Sequence, residues 1–276
     1  MSKTMRISFL LAALVALAVP AASLRAAWPS GRSSEWHGYP RRDFVLPGDG
    51  ARCIVVSPKS PAEGAPWIWR ARFWGHQPAL DLQLLAKGFH LAYCDVGGLF
   101  GAPAAVERWN KFHSLAVKEG LSTRPVLEGM SRGGLIIINW ASANPDKVSA
   151  IYGDNPVCNF NSWPGGRNGK FSKGDWSRCL KAYGISAEAA RAHRQPLSPE
   201  TLKPLAGGNI PIALVLGAAD KVVPPGENGE LLARHYQALG GPVKVWRKPG
   251  KGHHPHGLNP PDELAAWILQ AVRGDF

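Results

Sequence analysis

The sequence predicts an α/β protein, one domain built on a mostly parallel sheet with helices on both faces. Three observations carry that expectation. From residue 53 onward, short apolar runs rich in β-branched and aromatic residues alternate with longer helix-like segments, the rhythm of strand, crossover helix and parallel strand. Runs such as Ile210-Pro-Ile-Ala-Leu-Val-Leu216 are apolar at nearly every position, as strands buried on both faces must be. At 276 residues the chain can enclose one large core, and it shows no internal repeat.

Taken in order, a lead-in containing Pro40, Pro47, Gly48 and Gly50 reads as irregular chain. Strands are expected at 53–57 and 67–72, the second rich in tryptophan. Leu80, Leu82, Leu84 and Leu85 then mark a helix over 80–87 that Gly88 stops. A strand at 90–94 ends in a glycine-rich loop, and a second helix runs through Val106, Trp109, Phe112 and Leu115 to Gly120. Val126 and Leu127 belong to a strand. The helix after it, from Leu135 to Ala141, stops at Asn144-Pro145, and a strand follows at 148–152.

From 153 to about 210 the rhythm breaks. Asn155, Pro156, Asn159, Asn161, Pro164-Gly-Gly166 and Asn168 make a turn-rich stretch, with weakly amphipathic helices at 176–183 and 187–192. An insertion of that length exceeds what a connection needs, so 153–210 is expected to form a lid, with Trp163 near the mouth of a pocket. The strand at 210–216, a helix at 228–239, a strand at 243–246 and a last helix at 262–272 complete the chain.

Chemistry concentrates at Gly129-Met-Ser131-Arg-Gly133. A G-x-S-x-G sequence between a strand and a helix turns so sharply that its serine stands exposed at the sheet edge, and the small neighbours let strand and helix pack closely. Ser131 is therefore the candidate nucleophile. A serine needs a base, and the base needs a carboxylate to hold its tautomer. Both follow downstream: Asp220 in Gly217-Ala-Ala-Asp-Lys-Val-Val-Pro-Pro225, and His253 after a Gly-Lys-Gly turn. Asp154 is the rival acid, and His254 and His256 are the rival bases. The oxyanion donors expected are the backbone N–H of Arg132 and that of Ala71 or Arg72. Arg70, Trp74, His76 and Trp163 are candidates for contact with substrate. The three clustered histidines raise metal binding, but no H-E-x-x-H or cysteine pair accompanies them, so neither metal nor organic cofactor is expected.

The order Ser, Asp, His is that of the α/β-hydrolases, and the chain resembles that superfamily over its whole mature length. It also resembles a narrower group of exported bacterial hydrolases, through Pro66-Trp-Ile-Trp-Arg-Ala-Arg-Phe73, Gly129-Met-Ser-Arg-Gly-Gly-Leu135, Ser162-Trp-Pro-Gly-Gly166 and Gly252-His-His-Pro-His-Gly-Leu258. That likeness implies the fold and the triad rather than a substrate. Glucuronoyl esterases likewise carry Arg directly after the nucleophile, which implies for Arg132 a side chain facing developing negative charge.

Lys3 and Arg6 precede an apolar run from Ile7 to Val19 and then Pro20 and small residues, the order of a secretory signal, so 1–26 is expected to be removed and 27–276 to form the domain. A periplasmic or secreted protein without stable membrane insertion follows. Export permits disulfides; Cys158 and Cys179 bracket part of the insertion that a bridge would tie down, whereas Cys53 and Cys94 read as buried thiols. The net charge of +12 becomes +9, 29 basic against 20 acidic residues, once Lys3, Arg6 and Arg25 are removed. That charge favours acidic partners such as uronate-bearing polymers, and no nucleic-acid-binding motif is present. The reading that follows is an exported serine esterase acting on a plant or algal carbohydrate ester, a small molecule or polysaccharide. Its rivals are a peptidase of prolyl-oligopeptidase type and a catalytically silent glycan-binding protein.

Overall fold

The apolar runs pair into one nine-stranded sheet in the computed structural model, which describes residues 28–276. The expected signal segment lies outside the described residues. In chain order the strands are β1 (Gly31–Trp36), β2 (Tyr39–Val45), β3 (Arg52–Val56), β4 (Trp67–Arg70), β5 (His90–Cys94), β6 (Val126–Met130), β7 (Ala150–Asp154), β8 (Ile212–Gly217) and β9 (Val243–Lys248). They lie in the order β1-β2-β3-β5-β4-β6-β7-β8-β9. From β5 to β9 every pairing is parallel, while β1, β2 and β3 form an antiparallel edge.

The helices are α1 (Ala79–Ala86), α2 (Pro103–Lys118), α3 (Gly133–Ala143), α4 (Lys173–Tyr183), α5 (Ala187–Ala192), α6 (Pro199–Gly207), α7 (Gly229–Ala238) and α8 (Asp262–Arg273). Alternating side chains of the buried strands feed two cores. On one face α2, α3, α6 and α7 bring Trp109, Ile137, Trp140, Leu202, Leu205 and Leu232 against the sheet. On the other, α1 and α8 bring Leu84, Leu85, Leu264 and Ile268. Tryptophan is the chief filler of the first core: Trp69 stacks on Trp109 at 3.9 Å and meets Trp140 edge-on at 5.2 Å. Trp109 is thus fully buried.

Two elements differ from expectation. The lead-in is the β1–β2 hairpin, closed by His37 and Gly38 at φ 51° and 76°, a two-residue turn that matches strand twist. Its turn pair is not Asn-Gly, and β1 reads Gly-Arg-Ser-Ser-Glu-Trp with no apolar alternation, so the sequence offers no strand signal. The insertion, in turn, is not one lid. Its last part is α6, whose Leu202 and Leu205 enter the main core as an ordinary crossover helix between β7 and β8. Pro199 and Pro204 mask it in the sequence. The remainder, through α4 and α5, packs Phe160, Cys179 and Ala190 on Phe100, Leu135 and Val223 as a small cap. The Cys158–Cys179 bridge is absent: all four cysteines are free, Cys158 belonging to the main core and Cys179 to the cap.

Candidate active site

Strand β6 ends at Met130 and α3 begins at Gly133, so Ser131 makes the turn almost alone, at φ 50°. A non-glycine residue holds that backbone only when its surroundings over-determine it. Here the Ser131 N–H donates to the Asp154 carbonyl at 2.9 Å, and its own carbonyl accepts from Gly134 and Val157 at 2.9 and 2.8 Å. Glycine is required at 129, where a Cβ would lie 2.5 Å from Ile137 Cδ1 and 2.8 Å from the Gly133 carbonyl. The second close approach falls at Gly134 rather than at Gly133. A Cβ there would sit 2.6 Å from Pro156 and from the Val157 carbonyl, whereas at Gly133 the nearest atom is 3.4 Å away.

The loops after β8 and β9 converge on this turn. Ser131 Oγ lies 2.9 Å from His253 Nε2, and His253 Nδ1 lies 2.6 Å from Asp220 Oδ2. The other Asp220 oxygen accepts from the N–H groups of Val222 and Val223 at 2.8 and 2.9 Å, so the carboxylate is fixed in a fully buried position. The rival acid Asp154 is engaged elsewhere. It accepts from His256 Nδ1 at 3.2 Å, from the Tyr152 hydroxyl at 3.2 Å and from the Gly257 N–H. His254 makes no contact of this kind with Ser131; the structure joins His253 to it.

Two residues that the sequence reading passed over hold these loops together. Asn155, directly after β7, accepts from the Gly217 N–H at 2.7 Å and donates to the His253 carbonyl at 3.0 Å, tying the acid loop to the histidine loop. At Gly217 a Cβ would collide with the Gly252 carbonyl. The signal available was an Asp-Asn-Pro run at the end of a buried strand, which reads as the start of a turn-rich loop.

Of the expected oxyanion donors, Ala71 is excluded, because its N–H donates to the Glu128 carbonyl at 2.9 Å and extends the β4–β6 ladder. The backbone N–H groups of Arg132 and Arg72 take no protein acceptor among the described residues. The Arg72 nitrogen borders the elbow, 3.9 Å from where a Gly133 Cβ would stand.

A cavity of about 430 Å³ opens on Ser131 and His253, walled by Phe73, Trp74, His76, Met130, His254 and His256. Trp74 and His76 are where the sequence places them. Arg70 is not at the pocket. It is buried beneath it, paired with Glu128 at 2.8 Å and Asp81 at 3.3 Å, and both of its terminal nitrogens donate to the His76 carbonyl at 2.9 Å. Burial, and for Glu128 the neighbouring Asp81, push these two carboxyls upward against the pull of Arg70. Trp163 does not line the cavity either; it stacks on Phe100 in the cap. Arg132 does not line the serine's cavity; its guanidinium stands 5.6–5.9 Å from the rings of Phe73, Phe100 and Trp163 and 3.2 Å from Asp175 of α4. Burial and the nearby Arg72 charge push its pKa down.

No family model and no curated protein matches the chain. Solved structures do. A puromycin-hydrolyzing peptidase of Mycobacterium tuberculosis superposes with a TM-score of 0.65 at 17% identity, over 85% of this chain and 38% of that one. Dipeptidyl peptidase 4 of Porphyromonas gingivalis gives 0.63 at 14%, over 84% and 35%. The fold is that of an α/β-hydrolase. Est1E of Butyrivibrio proteoclasticus is similar at a TM-score of 0.57 and 19% identity, over 84% of this chain and 99% of that one. The chain spans little more than a third of the length of the two peptidases and nearly the whole of Est1E.

Proposed function

We propose that this chain is an exported serine hydrolase that cleaves a carboxylic ester of a plant or algal carbohydrate. The observation that carries the reading is the unbroken hydrogen-bonded chain from Ser131 through His253 to buried Asp220, with two unengaged backbone amides beside it. His253 Nε2 takes the Ser131 proton as Oγ bonds to the ester carbonyl carbon, and Asp220 stabilises the imidazolium through Nδ1–H. The carbonyl oxygen, now an anion, accepts from the Arg132 and Arg72 N–H groups. His253 then gives its proton to the departing alcohol. Water, deprotonated by the same imidazole, cleaves the acyl-enzyme and returns the serine.

The peptidase reading keeps support from the similar structures, and the same groups would serve an amide. The similarity covers 38% and 35% of those two peptidases and 99% of Est1E. Export rests on the charged and apolar pattern of residues 1–26. An acidic-sugar substrate loses its main recognising side chain, since Arg132 is occupied by Asp175 and three rings.

The test is turnover of p-nitrophenyl acetate, acetylated xylan, pectin and a peptide p-nitroanilide by the mature protein. Ser131→Ala and His253→Ala are each expected to lower ester turnover by about 10⁴- to 10⁶-fold, with more activity surviving in Asp220→Ala. Ester hydrolysis that persists in Ser131→Ala would overturn the serine mechanism. A peptide cleaved faster than every ester would favour the peptidase.

A further inference from the structure

Beside the nucleophile stand three imidazoles that the chemistry of Ser131 does not use. His76, His254 and His256 wall the same cavity. Their rings meet edge to face, His254 on His256 at 4.8 Å and His76 on His256 at 5.9 Å, and two of them stand against His253, His254 at 5.2 Å and His256 at 4.9 Å. Among the described residues no group of three such side chains is arranged to hold a metal ion.

His256 is fixed. It is 5% exposed, and its Nδ1–H donates to Asp154, whose carboxylate is held in turn by Tyr152 and Gly257. With the ring proton on Nδ1, Nε2 carries a lone pair, and no protein group among the described residues donates to it. His76 and His254 are more adaptable. Burial first, and then for each the His256 ring, push their pKa values down; Arg70 adds to this for His76, and His253 and His76 for His254. Their neutral rings each offer one donor and one acceptor. Such a wall suits hydroxyl groups, which donate and accept, better than carboxylates, which only accept.

The side of the cavity matters as well. His253 is the group that protonates the departing alcohol; His254 and His256 stand against its ring, and His76 packs on those two. We propose that His76, His254 and His256 form the alcohol subsite, which hydrogen-bonds a polyhydroxylated leaving group, His256 Nε2 accepting from the hydroxyl next to the ester oxygen. The inference rests on the ester-hydrolase reading of the same site and names the part of the substrate that it recognises. An amine leaving group of a peptide has no hydroxyl at that carbon unless it begins with Ser or Thr. The subsite therefore separates sugar esters from peptides where the triad does not.

The experiment compares kcat/KM of the unaltered protein for an acetylated methyl glucoside and for the deoxy analogue that lacks the hydroxyl beside the ester. A buried acceptor left unpaired by the analogue lowers kcat/KM by about 10- to 10²-fold. In His256→Phe and in the double variant His76→Phe/His254→Phe the ratio between the two esters falls toward one. Because His256 also anchors its loop, the substrate pair on the unaltered protein decides the matter if that variant does not fold. Equal kcat/KM for the two sugars would overturn the subsite while leaving the esterase standing. Failure to hydrolyse these esters and p-nitrophenyl acetate alike would overturn the esterase reading, and the subsite with it.

Discussion

At position 217 the acid loop and the histidine loop pass so closely that a methyl group would occupy the place of the Gly252 carbonyl. Backbone cannot move aside as a flexible side chain can, so Gly217→Ala must displace the loop that carries His253. Overpacking of this kind costs about 1–3 kcal/mol, and a misplacement of ~1 Å at a reacting group costs on the order of 10² in rate. Gly217→Ala is expected to show both, in a denaturant melt and in turnover of p-nitrophenyl acetate. Gly252→Ala is the contrast, since its Cβ would meet only the Ala219 carbonyl, 3.8 Å away; a Gly217→Ala protein as active as that contrast would show the loops are not packed as described. Residues such as these explain what the sequence conceals. Ser131, Asp220 and His253 were legible because each sits in a local pattern whose chemistry is specific to it. Asn155 and Gly217 act only by touching a loop distant in the chain, and Ala71 is lost as a donor only because a neighbouring strand supplies an acceptor.

Elements tell the same story at longer range. The parallel strands were legible because burial on both faces writes continuous apolar runs, whereas β1 is polar on an edge and α6 hides behind two prolines. The cap was expected to cover the serine; none of its residues lines the serine's cavity, and Arg132 and Asp175 fasten it to the elbow. Replacing Arg132 by Ala is therefore expected to change turnover of a small ester by no more than two- to threefold, equivalent to ~0.5 kcal/mol. The same change should speed amide exchange in α4, measured by hydrogen–deuterium mass spectrometry. A loss of 10²-fold or more in turnover would return the guanidinium to the active site. Beneath the pocket loop, Arg70 is the only cation among the described residues paired with Asp81 and Glu128. Arg70→Met strands two buried carboxyls and frees the His76 carbonyl. We expect it to destabilise the protein by about 3–5 kcal/mol, as removal of one partner from a buried pair does, and a variant within 1 kcal/mol of the parent would remove that pairing from the account.

For the molecule as a whole, acid should act in part through histidines remote from the site. Burial is the main cause holding His90 and His113 below 6.5, their ordinary value, and the His113 Nε2–H donates to the Thr123 carbonyl at 2.8 Å. The unfolded chain then binds more protons than the native one below that value, so stability present above pH 6.5 erodes as pH falls through 6.5 toward the depressed native values. A melting temperature that stays flat from pH 7.5 to about 5 would contradict this, and replacing both histidines by Gln should flatten the slope. The sheet order has a consequence for the nascent chain. Ser131 follows β6, in the middle of the sheet, but its acid and its base arrive on the loops after β8 and β9. During synthesis from the N-terminus, the half of the sheet that carries the nucleophile can assemble while no proton acceptor yet exists. On the proposed mechanism, hydrolysis waits until the loop after the final strand docks, and a chain cut short before residue 253 would carry the serine without its base.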